Sequence, residues 1–116
     1  MLVVTRHVVR AAEQEAFREA AEAACEVLQR QPGCRAVQVA RAIDDATVYL
    51  LVSSWKDVGS YRRALSNFDV KMAAVPVLAS ASDEVSAFEV LSARTPAGHE
   101  VNESDLAPDA DTAGPA

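Results

Sequence analysis

Residues 34–55 read CRAVQVARAIDDATVYLLVSSW, and the architecture of the chain follows from them. Apolar and polar side chains alternate from Cys34 to Ile43 and again from Thr47 to Trp55, the period of two that a pleated strand imposes. Asp44-Asp45-Ala46 lies between the two runs as a short acidic turn, so they form a β-hairpin.

On the N-terminal side, Leu2 to Arg10 is a further extended run, with Val3, Thr5, His7 and Val9 on one face and Leu2, Val4, Arg6 and Val8 on the other. From Ala12 to Arg30 there is no Gly or Pro, and Phe17, Ala20, Ala21, Ala24 and Leu28 recur at helical spacing with Glu15, Arg18, Glu19, Glu22 and Glu26 outward. Pro32-Gly33 stops that helix. Beyond the hairpin, Asp57 is an N-cap for a second helix with Val58, Tyr61 and Leu65 on one face, which Ser66-Asn67 breaks. A third helical stretch begins at Phe68, carries Met72, Val75 and Leu78, and must end or kink at Pro76. Ser82 to Ser92 reads as the last strand. The order strand, helix, strand, strand, helix, strand, with right-handed crossovers, predicts an α+β, ferredoxin-like βαββαβ fold: a four-stranded antiparallel sheet with helices on one face.

Helices on one face cover only that face. Yet Leu50 and Val52 alternate with Tyr49 and Leu51, and Val4 and Val8 with Val3 and Val9, so these strands are apolar on both sides. The second face calls for a cover that one chain does not supply, and a second copy across a two-fold axis is the economical one.

The formal charge of -6 over 116 residues is unevenly placed. All 11 Lys and Arg lie within residues 1–94 together with 12 acids, which leaves that part near neutrality. Glu100, Glu103, Asp105, Asp109 and Asp111 sit among Pro96, Pro108, Pro115, Gly98 and Gly114, with few large apolar residues. The expected organisation is therefore one folded domain over 1–93 and an acidic, unstructured tail over 94–116. No basic patch or nucleic-acid motif is present, which argues against a nucleic-acid partner. No apolar run approaches the ~18 residues of a membrane span, and the Val-rich start interrupted by Arg6, His7 and Arg10 is unlike a secretory signal. The default expectation is a cytoplasmic protein without a membrane partner, with Cys25 and Cys34 as reduced core thiols. Two well-separated His without carboxylate neighbours leave no metal-ligand set, and phosphate loops and the Gly-x-Ser-x-Gly elbow are absent.

The strand pattern, Gln31-Pro32-Gly33-Cys34 before the second strand, Ser54-Trp55-Lys56-Asp57 closing the third, and Val58-Gly59-Ser60-Tyr61 opening the next helix together resemble the antibiotic biosynthesis monooxygenase domain family over residues 1–92. The resemblance implies a dimeric alpha+beta barrel. It also implies a group of activities that includes cofactor-free oxygenation of aromatic polyketides, quinol oxygenation and haem degradation. Trp55 is similar in position to a residue that the family often uses beside its ligand, with a core aromatic as the other reading. Tyr61, six residues on, matches the Trp and Tyr spacing of the polyketide oxygenases, where a phenol can bond a substrate carbonyl; a core-capping Tyr is the alternative. Tyr49 shares the strand face of Trp55 and is a further substrate-binding candidate. His7 offers a neutral imidazole as the base, or is a structural strand histidine. Arg62, with Arg63, either balances an anionic substrate or belongs to a solvated helix face.

Two departures from the family bear on the reaction. No histidine falls between Trp55 and His99, where the haem-degrading branch carries its axial ligand, and Leu51 and Val75 stand where the polyketide branch carries Asn and Arg. The expectation is a homodimeric, cofactor-independent monooxygenase-like enzyme with no cofactor and no metal, acting on an aromatic, quinol or polyketide-type small molecule. A non-catalytic binding or structural member of the same fold is the alternative.

Overall fold

The computed structural model describes residues 1–104. Its elements are β1 (Leu2–Val8), a 3-10 turn (Ala11–Glu13), α1 (Gln14–Gln29), β2 (Cys34–Arg41), β3 (Val48–Trp55), α2 (Val58–Leu65), α3 (Phe68–Ala73), α4 (Val75–Ala79), β4 (Ala87–Phe88), β5 (Ser92–Thr95) and β6 (Gly98–Val101). The main sheet is antiparallel with order β2-β3-β1-β4, the ferredoxin-like arrangement expected from the sequence.

The hairpin pairs Val37 with Ser53, Val39 with Leu51 and Arg41 with Tyr49, with an irregularity at Arg35. Its acidic turn is built locally, since Asp45 Oδ1 accepts from the Thr47 amide at 3.0 Å and the Thr47 hydroxyl at 2.6 Å. At the other end, Gly33 holds φ +86°, and a Cβ there would run into the Ser60 side chain. Only glycine serves both the turn and the close approach. Asp57 caps α2 through Ser60, accepting from its amide and its hydroxyl at 2.7 Å each. Pro76 stands in the first turn of α4, where its missing N–H costs nothing, and so divides α3 from α4 instead of breaking one helix.

The core lies between the sheet and the helices. Val3, Leu51 and Trp55 from the sheet meet Ala24, Val27 and Leu28 of α1, Ala64 of α2, Val70 of α3, and Ala74 and Val77 around α4. The alanines facing inward at 24, 64 and 74 let the helices approach closely around the bulk of the indole. Ala20, expected inward, is exposed, and Val27 takes the buried position further along the helix. Among the described residues no helix is long and apolar enough to cross a membrane.

The C-terminal part corrects two expectations. The strand foreseen over Ser82–Ser92 is reduced to Ala87–Phe88, paired with Val3 and Leu2. Continued regularly, that ladder would set Glu84 opposite Arg6, but it is the Ser82 amide that donates to the Arg6 carbonyl at 2.7 Å. The segment therefore holds two surplus residues and bows outward, which leaves Asp83 and Glu84 in water and Glu84 3.7 Å from the Arg6 guanidinium. Past Phe88 the chain leaves the sheet because a second hairpin claims it. β5 and β6 pair across Pro96-Ala97, and Asn102 donates to the carbonyls of Leu91 and Val90, both at 2.8 Å. Part of the expected unstructured tail is thus ordered, and the boundary foreseen after residue 93 falls inside this hairpin. The remainder of the tail, 105–116, lies outside the described residues.

Candidate functional site

The sheet face beneath the helices carries an unusual share of polar side chains. Thr5, His7 and Ser53 are buried there at 5 %, 1 % and 4 % exposure, beside Tyr49 and Trp55. Strand alternation sets Thr5 and His7, and likewise Ser53 and Trp55, two residues apart on the same face. Each pair is bonded: the Thr5 hydroxyl lies 2.8 Å from His7 Nε2, and Trp55 Nε1–H donates to Ser53 Oγ at 2.8 Å. No buried side-chain nitrogen or oxygen among the described residues lacks a partner.

The candidate residues fall into two groups. At one end of the sheet His7 lies opposite Tyr49, and the Phe17 ring of α1 packs between them with both ring centroids 5.1 Å away. Tyr49 donates its hydroxyl to Gln14 Oε1 at 3.4 Å, and its edge reaches an open depression with Arg18 and Arg41. At the other end Trp55 is wholly buried and Tyr61 packs on it at 5.4 Å between ring centroids. The six residues from Tyr49 to Trp55 place the two groups about 20 Å apart along the strand. Arg62 joins neither; it is exposed in the last turn of α2, and the neighbouring Arg63 reaches the Ser60 hydroxyl at 3.4 Å.

What links the two ends is an apolar depression of about 590 Å³ lined by Tyr61, Leu65, Lys71, Val75, Leu78 and Ala79. This falls within the roughly 300–1,000 Å³ usual for small-molecule sites. It starts at Tyr61, against Trp55, and ends at Ala79, whose neighbour Ser80 has its hydroxyl oxygen 3.2 Å from His7 Nδ1. Burial lowers the His7 pKa below 6.5, so the imidazole is neutral at physiological pH. Burial likewise raises the Tyr61 phenol above 10.0, which keeps it a neutral donor. The cysteines are free, and desolvation, followed by Glu22 and Cys34, pushes the Cys25 thiol up to about 11, so it carries no thiolate at neutral pH. Among the described residues no group of three or more His, Cys, Asp or Glu is arranged to hold a metal ion.

Sequence reasoning set Tyr49 on the strand face of Trp55 and Tyr61 six residues beyond it, but it did not bring His7 to Tyr49, and it missed what holds these residues. Thr5 and Ser53 were visible as same-face residues two positions away. Ser80 had no such signal, because its approach to His7 spans 73 residues of chain. Lys71 and Leu78 enter only through the kink that Pro76 sets between two short helices.

Solved structures with this fold include a conserved protein from Methanosarcina mazei Go1, 20 % identical, with a TM-score of 0.62 over 74 % of this chain and 84 % of that one. A protein from Nitrosomonas europaea, named only as a candidate antibiotic biosynthesis monooxygenase, is 20 % identical, with a TM-score of 0.59 over 74 % and 90 %. A third structure, named an antibiotic biosynthesis monooxygenase, is 15 % identical, with a TM-score of 0.61 over 78 % and 99 %. No curated protein matches the sequence. At these identities the likeness is one of fold, but the family model for antibiotic biosynthesis monooxygenases matches residues 1–74, across β1 to α3, and the chain belongs to that family.

Proposed function

We propose that the protein is a homodimeric, cofactor-independent monooxygenase-like enzyme that takes a flat aromatic, quinol or polyketide-type molecule into the depression between Tyr61 and Ala79. The observation that carries this reading is the pairing of an apolar surface with a neutral phenol at one end and, through Ser80, a neutral buried imidazole at the other. An electron-rich ring with an acidic C–H or O–H needs little else to react with oxygen. For a methylene between aryl rings, His7 takes one proton by way of Ser80, and the carbanion passes one electron to dioxygen. The radical pair joins as a peroxide, and loss of water leaves the ketone. One diaryl methylene and one dioxygen thus give one diaryl ketone and one water, with both methylene hydrogens ending in the water. Tyr61 donates to the substrate oxygen, with Trp55 fixing its ring from behind, and the rim ammonium of Lys71 offsets the charge of the deprotonated ring. Tyr49 acts at a distance, holding Phe17 against His7, and Arg62 is left to the solvated helix face.

The dimer belongs to the same proposal. Val4, Val8, Val48, Leu50, Val52 and Phe88 share the uncovered face of the sheet, where Val8 is 69 % and Phe88 44 % exposed. A second copy on that face would close the barrel and stiffen the sheet that carries His7. The cytoplasm is the proposed location.

Oxygen uptake with a panel of hydroquinones and anthrones tests the enzyme. Turnover is expected, and it should fall at least about a hundredfold in His7→Ala and Tyr61→Phe, the scale of a lost proton-transfer group. Turnover indifferent to both residues would overturn the assignment. A second reading, a binding protein without catalysis, is favoured by one feature: both nitrogens of His7 are already engaged by protein hydroxyls. Saturable quenching of Trp55 fluorescence by the same compounds, without oxygen uptake, would select it.

A further inference from the structure

We propose that Tyr61, Trp55, Cys34 and Cys25 form a one-electron route that quenches peroxyl radicals in the Tyr61 depression and ends in a disulfide between the two thiols. The radicals come from the oxygenase proposed above, so their supply rests on that reading, whereas the placement of the four side chains does not.

The first contact is ring on ring. Tyr61 is half-buried and borders the depression, and its centroid lies 5.4 Å from that of Trp55, which is wholly buried behind it. The second contact is set by the irregularity at the start of β2. With Val37 opposite Ser53, a regular ladder would put Arg35 opposite Trp55, yet the partner of Trp55 is Cys34. The surplus residue leaves Arg35 exposed and turns Cys34 under the helices, where it packs on the buried cluster that contains Trp55. Side chains directly opposite across an antiparallel pair have Cβ atoms about 4.5–5.5 Å apart. Cys25 reaches the same cluster from α1, beside Ala24, and α1 packs directly on β2. The two thiols sense each other, since Cys34 adds to the rise of the Cys25 pKa that burial begins.

When the substrate radical separates from superoxide, it adds a second dioxygen and becomes a peroxyl radical. The peroxyl radical takes the hydrogen atom of the Tyr61 hydroxyl and becomes the hydroperoxide of the ordinary reaction. Trp55 returns an electron to the phenoxyl, which takes a proton from water in the open depression. Only an electron crosses the indole, because its N–H stays bonded to Ser53 Oγ at 2.8 Å. Cys34 refills Trp55 and releases its proton to solvent on the exposed side, where its thiol points at the Ala36 carbonyl. A second peroxyl radical draws a second electron, Cys25 loses its proton, and the two sulfurs join. Two peroxyl radicals and two thiols thus give two hydroperoxides and one disulfide. Burial raises the pKa of both thiols, so the thiolate that would attack a peroxide is scarce at neutral pH. The pair therefore stays reduced in the presence of peroxide and yields to single-electron oxidants.

Pulse radiolysis with the azide radical, a one-electron oxidant of phenols and indoles, tests the route in the substrate-free protein. Trp55 and Tyr49 are buried, so the oxidant enters at Tyr61. In the unmodified chain the phenoxyl absorbance should decay quickly while peptide mapping finds Cys25 joined to Cys34, one disulfide for two radicals. In Cys34→Ser the phenoxyl should persist severalfold longer and no disulfide should form. In Cys25→Ser it should still decay quickly, again without a disulfide. Trp55→Phe should lengthen the phenoxyl lifetime as Cys34→Ser does, and the serine variants, which keep the indole in place, guard against loss of folding in that change. A phenoxyl lifetime unchanged in Cys34→Ser, or a disulfide that forms as readily with a hydroperoxide alone, would overturn the route. A working route in a protein that oxidises nothing in the panel would leave the route standing and remove the oxygenase; turnover with a dead route would do the reverse.

Discussion

The two faces of the main sheet invert the usual rule for where polar groups go. The face under the helices buries Thr5, His7, Ser53 and the polar edges of Tyr49 and Trp55, each in a hydrogen bond. The uncovered face carries Leu2, Val4, Val8, Val48, Leu50 and Val52, with Arg6, Gln38 and Ser54 as its polar residues on β1 to β3. A protein built only for stability would do the opposite, since a buried polar group gains only about 1 kcal/mol net from its bond while an exposed apolar one forgoes burial. In the function proposed above, the polar groups inside serve the chemistry and the apolar face outside receives a second copy.

The sharpest test of the contrast is a charge at the centre of the uncovered face. Leu50→Lys should leave the single chain folded, since its ammonium can reach water, yet abolish self-association. In a two-fold interface the substitution occurs twice, and each ion costs several kcal/mol to bury. Light scattering at micromolar concentration should report a dimer before the change and a monomer after it; a monomer in both would end the two-copy barrel. Next in size is a comparison of adjacent residues on β3. Leu51 is 2 % exposed in the core, so Leu51→Ala should cost about 2–5 kcal/mol in urea unfolding at any protein concentration. Leu50→Ala should cost about 1 kcal/mol or less at high dilution, and more as concentration rises and the dimer contributes. Equal, concentration-independent losses would mean that the two faces do not differ in the way described.

The polar side of the contrast predicts smaller numbers. Trp55→Phe removes the donor to Ser53 Oγ and leaves that hydroxyl buried without it, at about 1–3 kcal/mol together with the lost volume. Adding Ser53→Ala to Trp55→Phe should then cost almost nothing, and the double-mutant cycle should return about 1 kcal/mol for the bond. Additive losses would show that the indole N–H matters less than its packing.

These contrasts were partly readable in the sequence, and the limits have physical causes. Strand faces are fixed by a period of two, so the partition of Val3, Thr5 and His7 from Leu2, Val4 and Val8 needed no structure. Asp57 as a cap and Pro32-Gly33 as a stop rest on equally local chemistry, and both stand. The last strand failed because its pairing is decided elsewhere: Asp83 and Glu84 bow out to solvent, and Asn102 draws Val90 and Leu91 towards a hairpin that composition alone had assigned to an unstructured tail. The surroundings of His7 were hidden for the same reason. Same-strand partners such as Thr5 and Ser53 could be paired on paper, whereas Ser80 meets His7 only after a proline has divided one helix into two.

The smallest expected effect separates a structural role of His7 from the chemical one proposed for it. Its folded pKa is lowered while the unfolded chain titrates at 6.5, so at pH below that value the unfolded state binds more protons than the folded one. The neutral ring therefore contributes stability that is present above pH 6.5 and is lost as the pH falls towards and through the folded value. The loss should be modest, because Thr5 and Ser80 offer the imidazolium as many bonds as the neutral ring and only desolvation opposes it. Asp57, whose carboxyl is lowered below 3.8 by the Ser60 hydroxyl and amide, begins to lose its contribution only below that value, so its step starts lower than that of His7. Urea midpoints measured against pH should show a shallow step below 6.5 that His7→Phe removes while the acid step remains. A step that persists in His7→Phe would assign the titration to another group. A steep one would mean that the charged ring is not held by both hydroxyls, Thr5 at Nε2 and Ser80 at Nδ1.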